Sequence, residues 1–133
     1  LLPIELAQLS PENEYGITLI SLDETYRERM EPGAASYAER LAALRALHDA
    51  GCRTWVSIEP YPTPNMIEQD LNKILEAVAF TDRIIFGRTN YSKMANAYRR
   101  HKHFYNVCAT EVITFCQEHS IDYHIKEKTI TKE

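Results

Sequence analysis

One stretch in the middle of the chain decides the fold: RTWVSIE, residues 53–59, followed by PYPTP, residues 60–64. The first part predicts a strand that ends on the carboxylate of Glu59, with Trp55 in the core. The second part is excluded from a helix or a central strand, because proline lacks the backbone N–H that either requires. We therefore expect a buried strand that stops on a polar side chain and is followed by a rigid loop.

The same arrangement recurs along the chain, with an apolar run ending on charged or hydroxyl residues. The predicted strands and the polar residues that follow them are 16–22 with Ser21, Asp23 and, further on, Glu31; 83–87 with Arg88 and Asn90; and 121–125 with Lys126 and Glu127. The carboxyl ends of parallel strands share one rim, where ligands bind in α/β folds. We expect Ser21, Glu59 and Arg88 to open onto one face.

Helical segments separate these strands. Ser36 and Glu39 form a capping-box pattern, and Gly51 predicts the end of the helix that they begin. Asn65 predicts a second start of this kind, and residues 93–119 predict one long helix. Residues 1–9 predict the tail of an earlier helix. The order of strands and helices therefore predicts an α/β fold with parallel strands in a single unit, 1–133.

Composition narrows the classes of protein. The 133 residues are 44% hydrophobic and 26% charged, with a net charge of −4, which suits a cytoplasmic globular domain and argues against a large nucleic-acid surface. No apolar run approaches the roughly 20 residues that cross a bilayer. Cys52, Cys108 and Cys116 lack the spacing of a metal site, so we expect reduced, buried thiols and no bound metal.

Four parallel strands cannot close a (βα)8 barrel, which needs about 250 residues. The chain is therefore either a small open α/β domain or half of a larger barrel. Its opening, Leu1-Leu2-Pro3-Ile4, has no initiator Met or secretory leader and favours the second alternative.

The order and spacing of several segments resemble the radical S-adenosylmethionine superfamily, in particular the group similar to spore photoproduct lyase and labelled DNA repair photolyases. The segments are Ser21-Leu22-Asp23, Arg29-Met30-Glu31-Pro32-Gly33-Ala34, Arg40-Leu41, His48-Asp49-Ala50-Gly51, Ser57-Ile58-Glu59-Pro60, Ile85-Phe86-Gly87-Arg88 and Tyr123-His124-Ile125-Lys126-Glu127. The resemblance implies the second half of a partial (βα)6 TIM-type barrel. It also implies S-adenosylmethionine and a [4Fe–4S] cluster in the parent protein. The CxxxCxxC motif that holds such a cluster does not occur in these 133 residues, so neither group is expected to bind this chain tightly.

The resemblance assigns cofactor-binding roles to five residues and a substrate-side role to Glu31. The five are Ser21, Asp23, Glu59, Arg88 and Asn90. Simpler structural roles stand beside these: Asp23 can cap the next turn, Glu31 can pair with Arg27, Arg29 or Arg40, and Arg88 can pair with Glu59.

The leading expectation is the C-terminal half of a radical S-adenosylmethionine enzyme, inactive by itself. Its partner would be the missing N-terminal half, or a second copy joined through the open sheet edge. The alternative is a non-redox module that binds a ligand or a partner. The basic and aromatic run 98–105 has the ingredients of a nucleic-acid contact, but a solvated helix face is favoured, and its histidines lack the partners of a zinc site.

Overall fold

The computed structural model describes residues 13–88 and 93–133. Its elements, in chain order, are β1 (Glu14–Thr18), α1 (Glu24–Met30), α2 (Tyr37–Asp49), β2 (Arg53–Tyr61), α3 (Leu71–Ala77), β3 (Arg83–Arg88), α4 (Lys93–Ala97), α5 (His101–His119) and β4 (Asp122–Ile125). The predicted helix at residues 1–9 lies outside the described residues.

The four strands form one parallel sheet in the order β1-β2-β3-β4, so the predicted α/β class with parallel strands is confirmed. Each strand pairs with the next one along the chain. Ile17 faces Val56, Val56 faces Ile84, and Ile84 faces Tyr123. The connections between these strands contain α1 and α2, then α3, then α4 and α5.

The core lies on one face of this sheet. Alternate residues of β2 and β3, such as Val56, Ile58, Ile84 and Phe86, are fully buried in a cluster that includes residues of α2, α3 and α5. Because side chains alternate along a strand, the residues between them point to the opposite face. Within the described residues that face is partly exposed, and we call it the open face.

Trp55 lies on the open face, so the prediction that it belongs to the core was wrong. Its register partner on β1 is Gly16, and the indole occupies the space that a side chain would fill there. Alternation explains the placement, since its neighbours Thr54 and Val56 are the fully buried residues of that part of β2.

The predicted helix start at Ser36 is confirmed. Ser36 Oγ accepts from the backbone N–H of Glu39 at 3.1 Å, and the Glu39 carboxylate accepts from the N–H of Ser36 at 3.2 Å. Gly51 follows the end of α2 with φ of +92°, a conformation that glycine adopts without strain. None of the helices in the described part of the chain is long and apolar enough to span a bilayer.

The predicted ends of two strands were wrong. Strand β1 ends at Thr18, so Ser21 lies in the loop beyond it. Strand β2 continues through Pro60 to Tyr61, because the register shifts between Ile58 and Tyr61 and Pro60 falls within this irregularity.

The helix predicted from Asn65 begins at Leu71 instead, where Asp70 accepts from the N–H of Asn72. The Asn65 amide donates to the Met94 carbonyl at 2.7 Å and so ties the loop to α4. The long helix predicted at 93–119 is two helices, α4 and α5, separated by residues 98–100.

Candidate functional site

A charged pair crosses the open face near the carboxyl ends of the strands. Glu59 extends from β2 over β3, and its Oε1 lies 3.8 Å from Nζ of Lys126, just beyond β4. Gly87 makes this possible, because a Cβ there would lie 2.7 Å from Oε2 of Glu59. The Glu59 side chain is 29% exposed. The carboxylate is therefore partly compensated by Lys126 and still accessible to a ligand.

Arg88 lies on the other side of the sheet. Its guanidinium carbon is 5.2 Å from the centroid of the Tyr105 ring on α5, and its Nη2 donates to Oδ1 of Asn96 at 3.1 Å. Gly87 and Arg88 are consecutive on β3, so they face opposite sides. The expectation that Ser21, Glu59 and Arg88 open onto one face was wrong, and the ion pair described for Glu59 is with Lys126.

Ser21 and Asp23 organise the loop between β1 and α1. Ser21 is fully buried, and its Oγ accepts from the N–H of Asp23 at 3.1 Å. Asp23 Oδ1 accepts from the N–H of Tyr26 at 2.9 Å and caps α1, as the simpler interpretation predicted. Both residues also line a cavity. Their structural hydrogen bonds therefore do not exclude contact with a ligand bound there.

That cavity has a volume of about 330 Å³ and lies between the β1–α1 loop and the start of α3. Its charged lining is three carboxylates and one ammonium group, from Asp23, Glu68, Asp70 and Lys73. A hydrogen bond connects the two sides of the cavity: Nε2 of Gln69, just before α3, donates to the carbonyl of Ile20, in the β1–α1 loop, at 2.9 Å. Carboxylate oxygens accept hydrogen bonds, so the cavity suits a ligand with ammonium or hydroxyl groups.

Glu31 forms a structural ion pair. Its Oε1 lies 3.0 Å from Nη2 of Arg40, and its Oε2 accepts from the Tyr37 hydroxyl at 3.4 Å. Burial raises the pKa of Tyr37, so this hydroxyl stays protonated and available as a donor. Of the three arginines considered as partners, Arg40 is the one that the structure pairs with Glu31.

The three cysteine thiols are buried. Burial raises the pKa of Cys108 to about 12 and that of Cys116 to about 11, which keeps both protonated at neutral pH. Cys52 is also buried and forms no disulfide with either of them. Over residues 13–88 and 93–133, no three His, Cys, Asp or Glu side chains are grouped so that they could hold a metal ion. Asn90 lies outside the described residues.

Sequence reasoning missed Gly87, Lys126 as the partner of Glu59, and the α3 side of the cavity. One signal was available for Gly87: an isolated glycine in a strand pattern indicates a close approach by another group. Gln69 and Lys73 were missed because the start of α3 was placed too early: its capping residue was predicted to be Asn65, whereas it is Asp70.

Comparisons with protein-family models, with curated proteins and with solved structures gave no match to this chain. The roles of Ser21, Asp23, Glu59, Arg88 and Asn90 in cofactor binding, and of Glu31 on the substrate side, therefore stay predictions.

Proposed function

We propose that this chain is the C-terminal half of a radical S-adenosylmethionine enzyme, forming part of the cofactor pocket and the substrate side of a partial barrel. The ordered segments from Ser21 to Glu127 support the proposal through their resemblance to that superfamily. The alternation of strands and helices agrees with it.

The observation that carries the proposal is the one-sided packing of the sheet. The strands follow one another in sequence order, and α2, α3 and α5 contribute to one core on one face. The wall of a (βα) barrel is built in this way, with helices outside and the other face turned toward the interior. On this proposal the open face, with Glu59 and Lys126, faces the barrel interior.

The residues of this chain do not fit an iron–sulfur cluster. Such clusters require several thiolate ligands close together, whereas Cys108 and Cys116 are buried among the residues of the helical layer and the described residues contain no group of three His, Cys, Asp or Glu side chains placed to hold a metal. We therefore assign the cluster to the missing N-terminal half and derive no redox step from this chain.

Some residues do fit S-adenosylmethionine. The cofactor supplies an adenosyl radical when it is bound and cleaved in the parent enzyme. The carboxylate of Glu59 on the open face, and that of Asp23 in the separate cavity beside the β1–α1 loop, can each accept from an ammonium or ribose hydroxyl group of this molecule. The task of this half is to hold cofactor and substrate in position, which lowers the entropic part of the barrier.

The first experiment is to determine the coding sequence upstream of Leu1. An in-frame CxxxCxxC within about 150 codons, half of a barrel on the scale of complete ones, is the expected result. A start site directly before Leu1 preceded by a stop codon would overturn the proposal.

Anaerobic iron and sulfide reconstitution then compares the whole polypeptide with the 133-residue chain. We expect brown cluster absorbance from the whole polypeptide and none from this chain. Stoichiometric cluster in this chain would contradict the fragment proposal. Glu59→Gln in the whole polypeptide should weaken S-adenosylmethionine binding while cluster absorbance is unchanged.

A second candidate function is a non-redox binding module. It is favoured by the cavity beside Ser21 and Asp23, because three carboxylates and the ammonium group of Lys73 line it and can bind a polar ligand without redox chemistry. This candidate predicts a monomer at all concentrations in analytical ultracentrifugation. A half barrel with an uncovered edge predicts concentration-dependent dimers or aggregates instead.

A further inference from the structure

The start of α5 carries a basic cluster, defined as residues 99–103, which are Arg99, Arg100, His101, Lys102 and His103. The cluster lines a cavity of about 380 Å³, and Glu133 supplies the remaining wall. This cavity is separate from the one beside Ser21, with which it shares no lining residue.

The chain places one of its own carboxylates in this cavity. Glu133 Oε1 lies 3.0 Å from Nδ1 of His103, and Oε2 accepts from Nδ2 of Asn106 at 3.2 Å. The segment is held by Asn106, which donates to the Thr131 carbonyl at 2.7 Å and accepts from the Thr131 N–H at 2.9 Å. The cavity therefore already accommodates an anion.

The electrostatics of the cavity favour negative charge. Hydrogen bonds from Asn106 and His103, with a smaller contribution from the nearby charge of Arg100, lower the pKa of Glu133. The first turn of α5 contains no acidic residue, and Arg100 provides no side-chain cap. The backbone N–H groups in the first turn of α5 therefore add positive potential at the cavity.

Glu133 does not balance the charge of the cluster. Arg99, Arg100 and Lys102 bring three permanent positive charges against one carboxylate. In the part of the chain that the structure describes, none of these three forms an ion pair within 4.0 Å, and all are exposed. A ligand with two negative charges would neutralise the cluster better than the carboxylate does.

We propose that the basic cluster is a binding site for a small phosphate monoester, whose dianionic group displaces the Glu133 carboxylate. A monoester carries close to two negative charges at neutral pH, because its second pKa is about 6. A phosphodiester of a nucleic acid carries one negative charge per phosphate. It would therefore neutralise the three positive charges of Arg99, Arg100 and Lys102 less well than a dianion would. The site is independent of the function proposed above.

The probe is inorganic phosphate, titrated at pH 7.5 into the 133-residue chain and followed by NMR at the His101 and His103 ring protons. Sodium chloride keeps the ionic strength constant. We expect saturable binding of one phosphate per chain. Glu133→Gln should tighten it by about threefold or more, because it removes one competing charge at close range.

Arg99→Gln with Arg100→Gln should weaken binding by about tenfold, since two of the three permanent charges are lost. All of these side chains are exposed, so the variants should fold. Arg45→Gln is the matched control: Arg45 lies on α2, its guanidinium carbon is 4.4 Å from the centroid of the Phe80 ring, and it does not line the basic cavity, so its loss should not affect phosphate binding.

Three results would overturn the proposal. Chloride alone could shift the histidine signals as much as phosphate does, or Glu133→Gln could leave the affinity unchanged. A single-stranded oligonucleotide without terminal phosphates could bind more tightly than phosphate, which would identify the cluster as a nucleic-acid contact.

Discussion

Substitution of Gly16 by Ala tests the packing of the open face directly. An added Cβ would overlap the Cδ2, Cε2 and Cε3 atoms of the Trp55 ring. The indole would have to move by about 1–2 Å to restore an ordinary contact of about 3.5–4.0 Å. Overpacking of this kind costs about 1–3 kcal/mol.

A smaller effect opposes this cost. Alanine restricts the unfolded chain more than glycine does, which stabilises the folded state by about 0.4–1 kcal/mol where the backbone tolerates alanine. The net expectation for Gly16→Ala is a loss of up to about 2.6 kcal/mol in the free energy of unfolding, with about 1.3 kcal/mol at the middle of the two ranges. The overlapping atoms belong to a rigid ring, so the cost cannot be removed by a rotation at the end of a flexible side chain.

The measurement is urea unfolding followed by circular dichroism, together with fluorescence emission. Trp55 is the single tryptophan of the chain, so its emission reports this site alone. We expect a lower free energy of unfolding and a changed emission maximum in Gly16→Ala. The double variant with Trp55→Val should recover most of the loss in a double-mutant cycle. Equal or greater stability in Gly16→Ala, with unchanged emission, would refute the proposed contact.

Two further predictions concern the segment around α1 and α2. Ser36→Ala removes the cap of α2 and should lower the free energy of unfolding by about 1 kcal/mol in urea; an unchanged midpoint would mean that the capping box contributes nothing. The Glu24 carboxylate accepts from Arg27 and from the Tyr37 N–H, and chiefly the Arg27 bond lowers its pKa below 4.5. The ionised Glu24 carboxylate stabilises the folded state fully above pH 4.5, the ordinary pKa of the group, and this stabilisation is lost as the pH falls through the lowered pKa. The urea midpoint should therefore fall less between pH 6 and pH 3 in Glu24→Gln than in the wild type or in the Glu118→Gln control; equal losses in all three would refute this.

The fold was predictable because it depends on patterns along the chain. Apolar runs separated by capped helices predict parallel strands, and Ser36 and Gly51 fix the two ends of α2 by local chemistry. The start of α3 depends on tertiary contacts instead. Asn65 has the side chain of a helix cap, but its amide bonds to the Met94 carbonyl, 29 residues further along the chain.

The candidate site was predictable only as a list of residues. Polar residues at strand ends identify the rim of the sheet. The face on which each side chain lies depends on its position in the alternation along its own strand and on how that strand pairs with its neighbours. The register between β2 and β3 shifts after Ile58, so that Tyr61 becomes the partner of Arg88. No pattern within either strand predicts this shift. The opposite facing of Glu59 and Arg88 follows from alternation, because Glu59 is next to the buried Ile58 on β2 whereas Arg88 is two residues beyond the buried Phe86 on β3.

This separation places Glu59 and Arg88 in two different environments. A ligand on the open face would meet Glu59 and Lys126 across the space left by Gly87. Arg88 belongs to the helical layer, where Tyr105 and Asn96 hold its guanidinium. If the open face is the inside of a barrel wall, Gly87 contributes to the site together with Glu59, because any side chain at position 87 would force the Glu59 carboxylate to leave its present position.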